Sequence, residues 1–269
     1  MNDAPIHRWD GHCLASSNDA LVKEEPLEIR VRGATLTVTM RTPGHDPELA
    51  SGLLLSEGIV REQGDIVEMA PCGSADASTR QNVLNVFLAP RVKFEASKTA
   101  RLQLTTSSCG LCGKGSIESI RQLFPSIQET ARKRLPVDNL LALPAKLRRQ
   151  QAVFERTGGV HAAGLFSYAG RRVVVREDIG RHNAVDKVLG FAFLKEKLPC
   201  HHHVLLVSGR VSFEIMQKAL AAQIPVVAAV SAPSSLAVEF AVDSGQTLVG
   251  FLRNGGFNVY AHKWRLEPP

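Results

Sequence analysis

Two cysteines three positions apart, Cys109 and Cys112, are the residues in this sequence best suited to sulfur or metal chemistry. Serine and glycine surround them over 107–116, so little side-chain bulk would keep a partner's sulfur or a metal ion away. Apolar residues at helical spacing follow over 116–124, which places the pair in a loop before a helix N-terminus. The positive end of that helix dipole, together with Lys114, would favour the thiolate form.

The motif has three readings that its residues do not separate. It could be half of a zinc site, a redox-active dithiol, or two small apolar residues at this spacing by chance. The chain has five cysteines, an odd and sparse set that argues against a secreted disulfide framework. Cys13 is expected to be incidental, and Cys72, with no nearby histidine or cysteine at ligand spacing, to be structural. A Cys-His-His-His run at 200–203 could bind a transition metal, although such clusters are usually solvated.

The composition is that of a globular protein with an anionic partner. Of 269 residues, 44% are apolar, which is enough to fill a core. We expect a cytoplasmic protein that does not associate with a membrane, because the chain has neither an eighteen-residue apolar run nor an apolar signal core. A net charge of +6 with only 6% aromatic residues favours a phosphate-bearing small molecule over a nucleic acid polymer.

The N-terminal part of the chain divides into two expected segments. Residues 1–25 lack hydrophobic periodicity and predict an irregular N-terminal arm. Alternation of apolar and polar residues at 27–31 and 35–40 predicts a hairpin with one buried face. With further strands downstream, this hairpin would belong to a smaller β-rich subdomain over 26–100.

The remainder is expected to comprise a linker and an α/β core. The thiol loop and a helical linker would occupy 101–157, with a helix over 138–155 bent at Pro144. An α/β subdomain would occupy 158–269, where continuous apolar runs predict a mostly parallel sheet flanked by helices. Its strands are expected near 163–168, 171–176, 203–208, 225–230 and 246–252, and its helices near 183–196, 211–222 and 234–243.

Three of these strands end in loops that precede a helix, at 177–183, 208–210 and 231–235. The carboxyl ends of strands in an α/β sheet form the usual ligand crevice, where backbone amides and helix dipoles favour phosphate. Arg181 and Arg210 add forked hydrogen-bond donors. No Gly-x-Gly-x-x-Gly or Walker motif follows these strands, which disfavours a dinucleotide dehydrogenase or a P-loop enzyme.

Other residues are weaker candidates. The segment 250–260 combines Arg253 with glycines and aromatic residues, so it could clasp a purine and its phosphate or simply form a turn between two strands. His161, after two glycines, could be a base, a metal ligand or a structural histidine. Arg41 and His45 lie in a strand-to-helix loop and are secondary candidates for an anion seat.

Taken together, these residues resemble the FdhD family, the sulfur carrier proteins required for formate dehydrogenase activity. The resemblance covers nearly the whole chain after the first twenty residues, and its motifs are specific. The segments that carry it are 24–27, 40–46, 108–114, 158–163, 176–187 and 208–214.

The resemblance implies a cytidine-deaminase-like α/β core, a homodimer, and a sulfurtransferase-type accessory protein. Sulfur would pass from a cysteine desulfurase to the molybdenum bis(molybdopterin guanine dinucleotide) cofactor, the bound acceptor, before that cofactor enters the formate dehydrogenase catalytic subunit. Cys109 resembles the persulfide-bearing cysteine of the family, and Cys112 the second cysteine of its motif. The family's guanine dinucleotide site falls on Phe251, Leu252, Arg253, Asn254, Gly255 and Gly256.

Two other functions remain open. Relatedness to zinc deaminases suggests zinc, but His161 is followed by Ala162 and Ala163, whereas the deaminase motif has glutamate two residues after the histidine. Deamination is therefore disfavoured and no permanent metal is expected, although a zinc or redox enzyme could still use the Cys109 and Cys112 thiols. The other alternative is a chaperone that binds the molybdenum cofactor without covalent sulfur transfer.

Overall fold

The computed structural model describes residues 2–73, 76–94, 123–128 and 133–269. Cys109, Cys112 and most of the helix predicted after them lie outside the described residues. The strands, in chain order, are β1 (Asn2–Trp9), β2 (Leu14–Leu21), β3 (Glu25–Val31), β4 (Ala34–Arg41), β5 (Ile66–Pro71), β6 (Val83–Leu88), β7 (Leu135–Pro136), β8 (His161–Ser167), β9 (Arg172–Asp178), β10 (His203–Val207), β11 (Val226–Ala229), β12 (Thr247–Arg253), β13 (Gly256–Ala261) and β14 (Leu266–Glu267). The helices are α1 (Asp46–Ser56), α2 (Ala77–Asn82), α3 (Val137–Leu141), α4 (Leu143–Arg148), α5 (Ala152–Thr157), α6 (Arg181–Leu194), α7 (Phe213–Ala221) and α8 (Ser235–Ser244).

The prediction of an irregular N-terminal arm is wrong, because β1 and β2 form an antiparallel hairpin from Asn2 opposite Leu21 to Trp9 opposite Leu14. The Asp10 carboxylate accepts hydrogen bonds from two amides of the hairpin turn, those of residues 12 and 13. Strand β2 is largely exposed along its length. With no buried face, it carries no alternating hydrophobic pattern, which is why periodicity did not reveal the hairpin.

A four-stranded sheet in the order β4-β3-β6-β5 follows, and it contains the hairpin predicted at 27–31 and 35–40. Helix α1 links it to the rest of the molecule by packing against α6 at two glycines. A Cβ atom on Gly52 would overlap the backbone of Asp186, and one on Gly190 would overlap the backbone of Glu48. The absence of side chains at both positions lets the two helices approach at backbone contact.

The six-stranded core sheet has the order β13-β12-β11-β10-β8-β9. Only β10, β11 and β12 are parallel, whereas β8 pairs antiparallel with β9 and β10, and β12 with β13. The expected mostly parallel sheet is therefore a mixed sheet. The turns between β8 and β9 and between β12 and β13 are too short for a crossover, so both pairs are hairpins. The cytidine-deaminase-like character and the boundaries near 100 and 157 stay predictions.

Helices cover both faces of the core sheet. Helices α6, α7 and α8 occupy the regions predicted for them. The single helix predicted over 138–155 is instead three short helices, α3, α4 and α5, with Pro144 in the first turn of α4. Leu140, Leu143 and Leu147 of this segment are buried with Phe166 in a second apolar cluster. In the described ranges, no helix has the length and apolar character needed to cross a bilayer.

Candidate functional site

The loops at the carboxyl ends of the parallel strands meet along one edge of the core sheet, as expected. Ser208 donates its amide to the carbonyl of Ala162 (2.9 Å), and Val211 donates to Ala232 (3.2 Å). The amide of Phe251 donates to the carbonyl of Ser231 at 3.0 Å. We call this edge the carboxyl rim; it consists of residues 161–162, 177–183, 208–214, 231–235 and 250–256.

His161 stands at the start of β8, directly beside the loop after β10. A Cβ atom on Gly209 would lie 3.3 Å from His161 Nδ1 and 3.9 Å from the Cβ of Arg181. A larger residue at position 209 would crowd the imidazole. Burial lowers the pKa of His161, and the positive charges of Arg181 and Arg210 lower it further. His161 is therefore neutral near pH 7.

His182, the second residue of α6, faces the start of α7. Its Nε2 atom lies 3.3 Å from Ser212 Oγ and 4.0 Å from Glu214 Oε2. Burial, followed by the charges of Lys218 and Arg181, lowers the pKa of His182 to about 4.

Glu214 is ionised beside this neutral histidine. Burial raises the pKa of Glu214, but hydrogen bonds from the Ser212 side chain and from the Glu214 amide, together with the charge of Arg181, act against it. The net pKa lies below its ordinary value.

Two guanidinium groups give the rim its positive charge. Arg181 is the first residue of α6, where the helix dipole adds to its charge. Its Nε atom is buried and has no hydrogen-bond acceptor among residues 2–73, 76–94, 123–128 and 133–269. Arg210 is exposed and close enough to lower the pKa of His161. A buried donor without an acceptor, beside a second cation, is the arrangement expected of an anion site.

The predicted cofactor segment, residues 251–256, forms the end of β12, the turn and the start of β13. The β12–β13 register shifts between Gly250 and Arg253, and Phe251 in that bulge has φ 53°. The Arg253 guanidinium carbon lies 5.5 Å from the centre of the Phe251 ring, and both side chains are at the surface or half-buried. This geometry leaves Arg253 available to a ligand at the rim.

The remaining residues of the segment differ in what they could offer. Asn254, Gly255 and Gly256 are exposed, and both Asn254 (φ 53°) and Gly255 (φ 76°) adopt the left-handed conformation that the turn requires. Leu252 is 1% exposed and belongs to the apolar cluster under the sheet. Only its backbone could reach a ligand. Binding of the cofactor by these six residues stays a prediction.

A buried ion pair fixes the turn that presents Arg181. Lys187 Nζ lies 2.6 Å from Asp178 Oδ2 and also donates to the carbonyl of Thr42 at 2.8 Å. The other Asp178 oxygen accepts the amide of Gly180 at 2.8 Å. This network ties the β9–α6 turn to the chain just after β4.

Sequence reasoning missed a second buried pair, Asp186 with Lys218, whose Nζ lies 2.8 and 2.9 Å from the two carboxylate oxygens. Lys218 also donates to Ser56 Oγ at 2.9 Å. Burial raises the pKa of the adjacent Glu57. The available signal was the position of Asp186 between apolar residues of a helix covered by other elements.

The structure does not support the prediction that Arg41 helps to bind an anion. Its side chain is 2% exposed and makes two hydrogen bonds of 2.9 Å to the Asp46 carboxylate. A guanidinium that is buried and already paired stabilises the loop, and its N–H donors are not available to a ligand. His45 Nδ1 lies 3.6 Å from Glu48, and burial and Arg176 lower its pKa.

Of the three described cysteines, the buried Cys200 is not suited to sulfur transfer. Cys200 is buried, its thiol donates to the carbonyl of Lys197 at 3.5 Å, and burial raises its pKa to about 12. Cys13 is exposed and Cys72 is partly buried. Within the part of the chain that the structure describes, no three His, Cys, Asp or Glu residues are grouped to hold a metal ion.

Comparison with known proteins gives a consistent result. The family model described as the FdhD/NarQ family matches residues 22–267. Sulfur carrier protein FdhD of Mycobacterium tuberculosis is 50% identical over 275 residues, which cover 99% of this chain and 100% of that protein. The protein of the same name from Streptomyces coelicolor is 53% identical, and the match covers 92% of this chain and 89% of that protein. The one from Sulfolobus acidocaldarius is 41% identical, and the match covers 96% of this chain and 95% of that protein.

A solved structure shares the fold. It comes from Desulfotalea psychrophila and is named for a formate dehydrogenase accessory role. Its TM-score is 0.76, with 24% sequence identity, and the match covers 99% of this chain and 98% of that one. The mixed α/β architecture with separate sheets is therefore shared across the full length.

Proposed function

The chain belongs to the FdhD/NarQ family, and we propose that it is a sulfur carrier protein that serves formate dehydrogenase. It would accept sulfane sulfur from a cysteine desulfurase as a persulfide and deliver it to the molybdenum bis(guanine dinucleotide) cofactor. The observation that carries the proposal is the Cys109-x-x-Cys112 motif of the sequence, in a chain so similar to proteins named sulfur carriers.

The cysteine pair has the chemistry for one transfer cycle. The Cys109 thiolate attacks the terminal sulfur of the donor's persulfide, the donor's S–S bond breaks, and the donor leaves as a thiolate. Cys112 can then attack Sγ of Cys109, which forms a disulfide between the two cysteines and releases hydrosulfide to the acceptor. A dithiol reductant would restore both thiols for the next cycle.

The carboxyl rim supports binding of the acceptor. A guanine dinucleotide carries a pyrophosphate, and Arg181 and Arg210 beside a helix N-terminus are the groups that bind such an anion. His161 and His182 are neutral at pH 7, so each can accept or donate a hydrogen bond there without adding charge. Arg253 in its exposed turn would contact the nucleotide end.

The proposal includes the partners of the protein. A cysteine desulfurase and the formate dehydrogenase catalytic subunit would each contact the chain transiently, in the cytoplasm. The carrier itself would be a homodimer, as the family resemblance implies. A net charge of +6 is consistent with a polyanionic ligand of small size.

Intact mass spectrometry under non-reducing conditions tests the transfer step. Wild-type protein incubated with a cysteine desulfurase and cysteine is expected to gain one sulfur atom, about 32 Da, on Cys109. The Cys109→Ala variant should gain none. Cys13→Ala is the matched control, because it removes an exposed thiol outside the motif and should still gain sulfur.

The alternative function predicts a different result. If wild-type protein that supports formate dehydrogenase activity gains no sulfur, the protein binds the molybdenum cofactor without carrying sulfur. Full formate dehydrogenase activity in cells that contain only the Cys109→Ser variant would lead to the same conclusion.

A further inference from the structure

Seven basic side chains lie together at the edge of the core sheet opposite the carboxyl rim, and the proposed binding of the acceptor uses none of them. We call them the basic face; they are Lys133, Arg134, Lys146, Arg148, Arg149, Arg171 and Arg172. All are exposed except Lys146, which is half-buried. Five of the seven are arginines, the cation that is enriched in protein interfaces, where lysine is depleted.

The turn between β8 and β9 lies at the centre of the basic face. Ala169 in this turn lines one depression together with Lys133 and Arg134. Gly170, the next residue, accepts a hydrogen bond from Lys146 Nζ at 2.6 Å. Cations from two other segments of the chain therefore meet at this turn.

Arg172 extends the face from the turn toward the end of α4. Its guanidinium donates to the side chain of Gln150, and Gln150 directly follows Arg148 and Arg149 in the chain. The seven cations therefore form one continuous surface, and they outnumber the three carboxylates within or beside it, which are Asp138, Glu155 and Glu267. Most of the +6 charge of the chain is concentrated here.

The basic face and the carboxyl rim are separated by the length of a strand. The amide of Tyr168, directly after β8, donates to the carbonyl of His202, just before β10 begins. His161 at the other end of β8 is seven residues away, which at about 3.3 Å per residue is roughly 23 Å. A protein bound at the basic face would leave the rim open to the acceptor.

Residues 123–128, which follow the cysteine motif in the chain, lie at the same edge of the core as the basic face. The amide of Ile127 donates to the carbonyl of Ser244 at 2.8 Å, and the side chain of Gln223 donates to the carbonyl of Pro125 at 3.0 Å. Ser244 and Gln223 come just before β12 and β11, at the amino ends of parallel strands. The chain after the cysteine motif is therefore anchored on the side where the basic face lies.

The chemistry of the face favours a protein partner over a membrane or a nucleic acid. None of the large apolar side chains that are exposed in the described ranges lies on it, so these residues offer no anchor for a lipid surface. Nor do its described residues present an exposed aromatic ring on which a base could stack. Glu267, in the depression beside Arg134, would repel a continuous row of phosphates, whereas a protein can place a lysine or arginine opposite it.

We propose that the basic face is the docking surface for an acidic surface on the cysteine desulfurase that donates sulfur, an inference that rests on the proposed function. Carboxylates of the donor pair with the guanidinium groups of the face. Because the charges of the face act together over a distance, they speed the encounter with an acidic partner before contact is made. The donor at this edge and the acceptor at the rim then do not compete for one surface.

Reversal of charge on the face tests the docking surface. The Arg149→Glu/Arg171→Glu variant changes two exposed residues, and the rate of sulfur loading on Cys109 is followed by intact mass at a desulfurase concentration far below saturation. Loading should be about tenfold slower than in wild type, and the difference should shrink as NaCl rises from about 50 to about 500 mM. The matched control Arg8→Glu/Arg61→Glu reverses two exposed arginines outside the face and should load as wild type does.

Loading from inorganic polysulfide separates docking from thiol chemistry. This small sulfur donor needs no docking surface, so the face variant should take up sulfur from it at the wild-type rate.

Three results would overturn the inference. The face variant could load from the desulfurase as fast as wild type and the control variant. It could be slowed equally with polysulfide, which would place the defect in the fold or the thiol chemistry. Finally, it could lose binding to a short DNA duplex while loading from the desulfurase is unchanged, which would assign the face to nucleic acid.

The proposed function is tested separately by the wild-type protein. If wild type gains no sulfur on Cys109 from either donor, the proposed function is contradicted, and the docking inference with it. If wild type gains sulfur from both donors and the face variant does so at the same rates, only the docking inference fails.

Discussion

Helix α6 carries two kinds of charged residue within two turns. Arg181 and His182, in its first turn, are half-buried at the carboxyl rim, and the Nε atom of Arg181 lacks an acceptor in the described part of the chain. Asp186 and Lys187, in its second turn, are at most 3% exposed, and each is bound to an opposite charge. The first-turn residues can therefore still interact with a ligand, whereas the charges of the second-turn residues are already neutralised by partners within the fold.

The contrast follows from the cost of removing charge from water. A buried ion keeps its charge only if a partner and further hydrogen bonds replace its hydration. Asp178 receives such bonds from Lys187, Gly180 and Asn183, and Lys187 also donates to the carbonyl of Thr42. Arg181 and His182 in the first turn are only half-buried, so water still hydrates part of each side chain. Charged residues at the carboxyl rim therefore indicate a binding site, whereas the buried charged residues beneath it indicate how the fold is stabilised.

The largest effect is expected from breaking the second-turn pair. Lys187→Met should lower the free energy of unfolding by about 3–5 kcal/mol, because it leaves the Asp178 carboxylate buried without its counter-ion. Chemical denaturation measures the change. Arg181→Met on the same helix is the matched control and should cost less than about 1 kcal/mol, since Arg181 makes no ion pair with any residue that the structure describes. Equal losses in the two variants would contradict the distinction between the turns.

A smaller effect is expected from removing charge at the rim. Arg181→Ala should weaken binding of GDP about tenfold, or roughly 1.4 kcal/mol, and Arg253→Ala should weaken it a few-fold because Arg253 is more exposed. Calorimetry on the intact protein measures both. Arg149→Ala, an exposed arginine away from the rim, should leave the affinity unchanged. If GDP binds equally well to all three variants, the rim is not the nucleotide site.

The smallest effect concerns pH. The pKa of His182 is lowered from 6.5 to about 4 in the folded protein, so the unfolded chain takes up this proton first as the pH falls. Stability from the neutral His182 is complete above pH 6.5 and is lost as the pH falls toward 4. The melting temperature of wild type should therefore fall more steeply between pH 7 and 4.5 than that of His182→Gln. Parallel curves, or an NMR titration of His182 near pH 6.5, would contradict this assignment.

Much of the fold could be predicted from local patterns. The hairpin of β3 and β4 has one buried face, so its alternation was visible, and the runs of β10 and β11 are apolar because both faces are covered. The hairpin of β1 and β2 has no such face and was missed. The extent of parallel pairing was also predicted wrongly, because strand direction depends on the length of the connections.

The sequence by itself determined the chemical inventory: the Cys109 and Cys112 motif, the glycine- and arginine-bearing loops after the strands, and the motifs of the FdhD/NarQ family. Only the tertiary structure decided which charges are free. Arg41 ends β4 and Arg181 begins the helix after β9, so both lie where a strand meets a loop and they look alike in sequence. In the folded protein, Arg41 is buried and paired with Asp46, whereas Arg181 lies at the carboxyl rim. The physical reason is that pairing and burial depend on neighbours brought together by folding, such as Lys187 beside Asp178, and no local spacing encodes them.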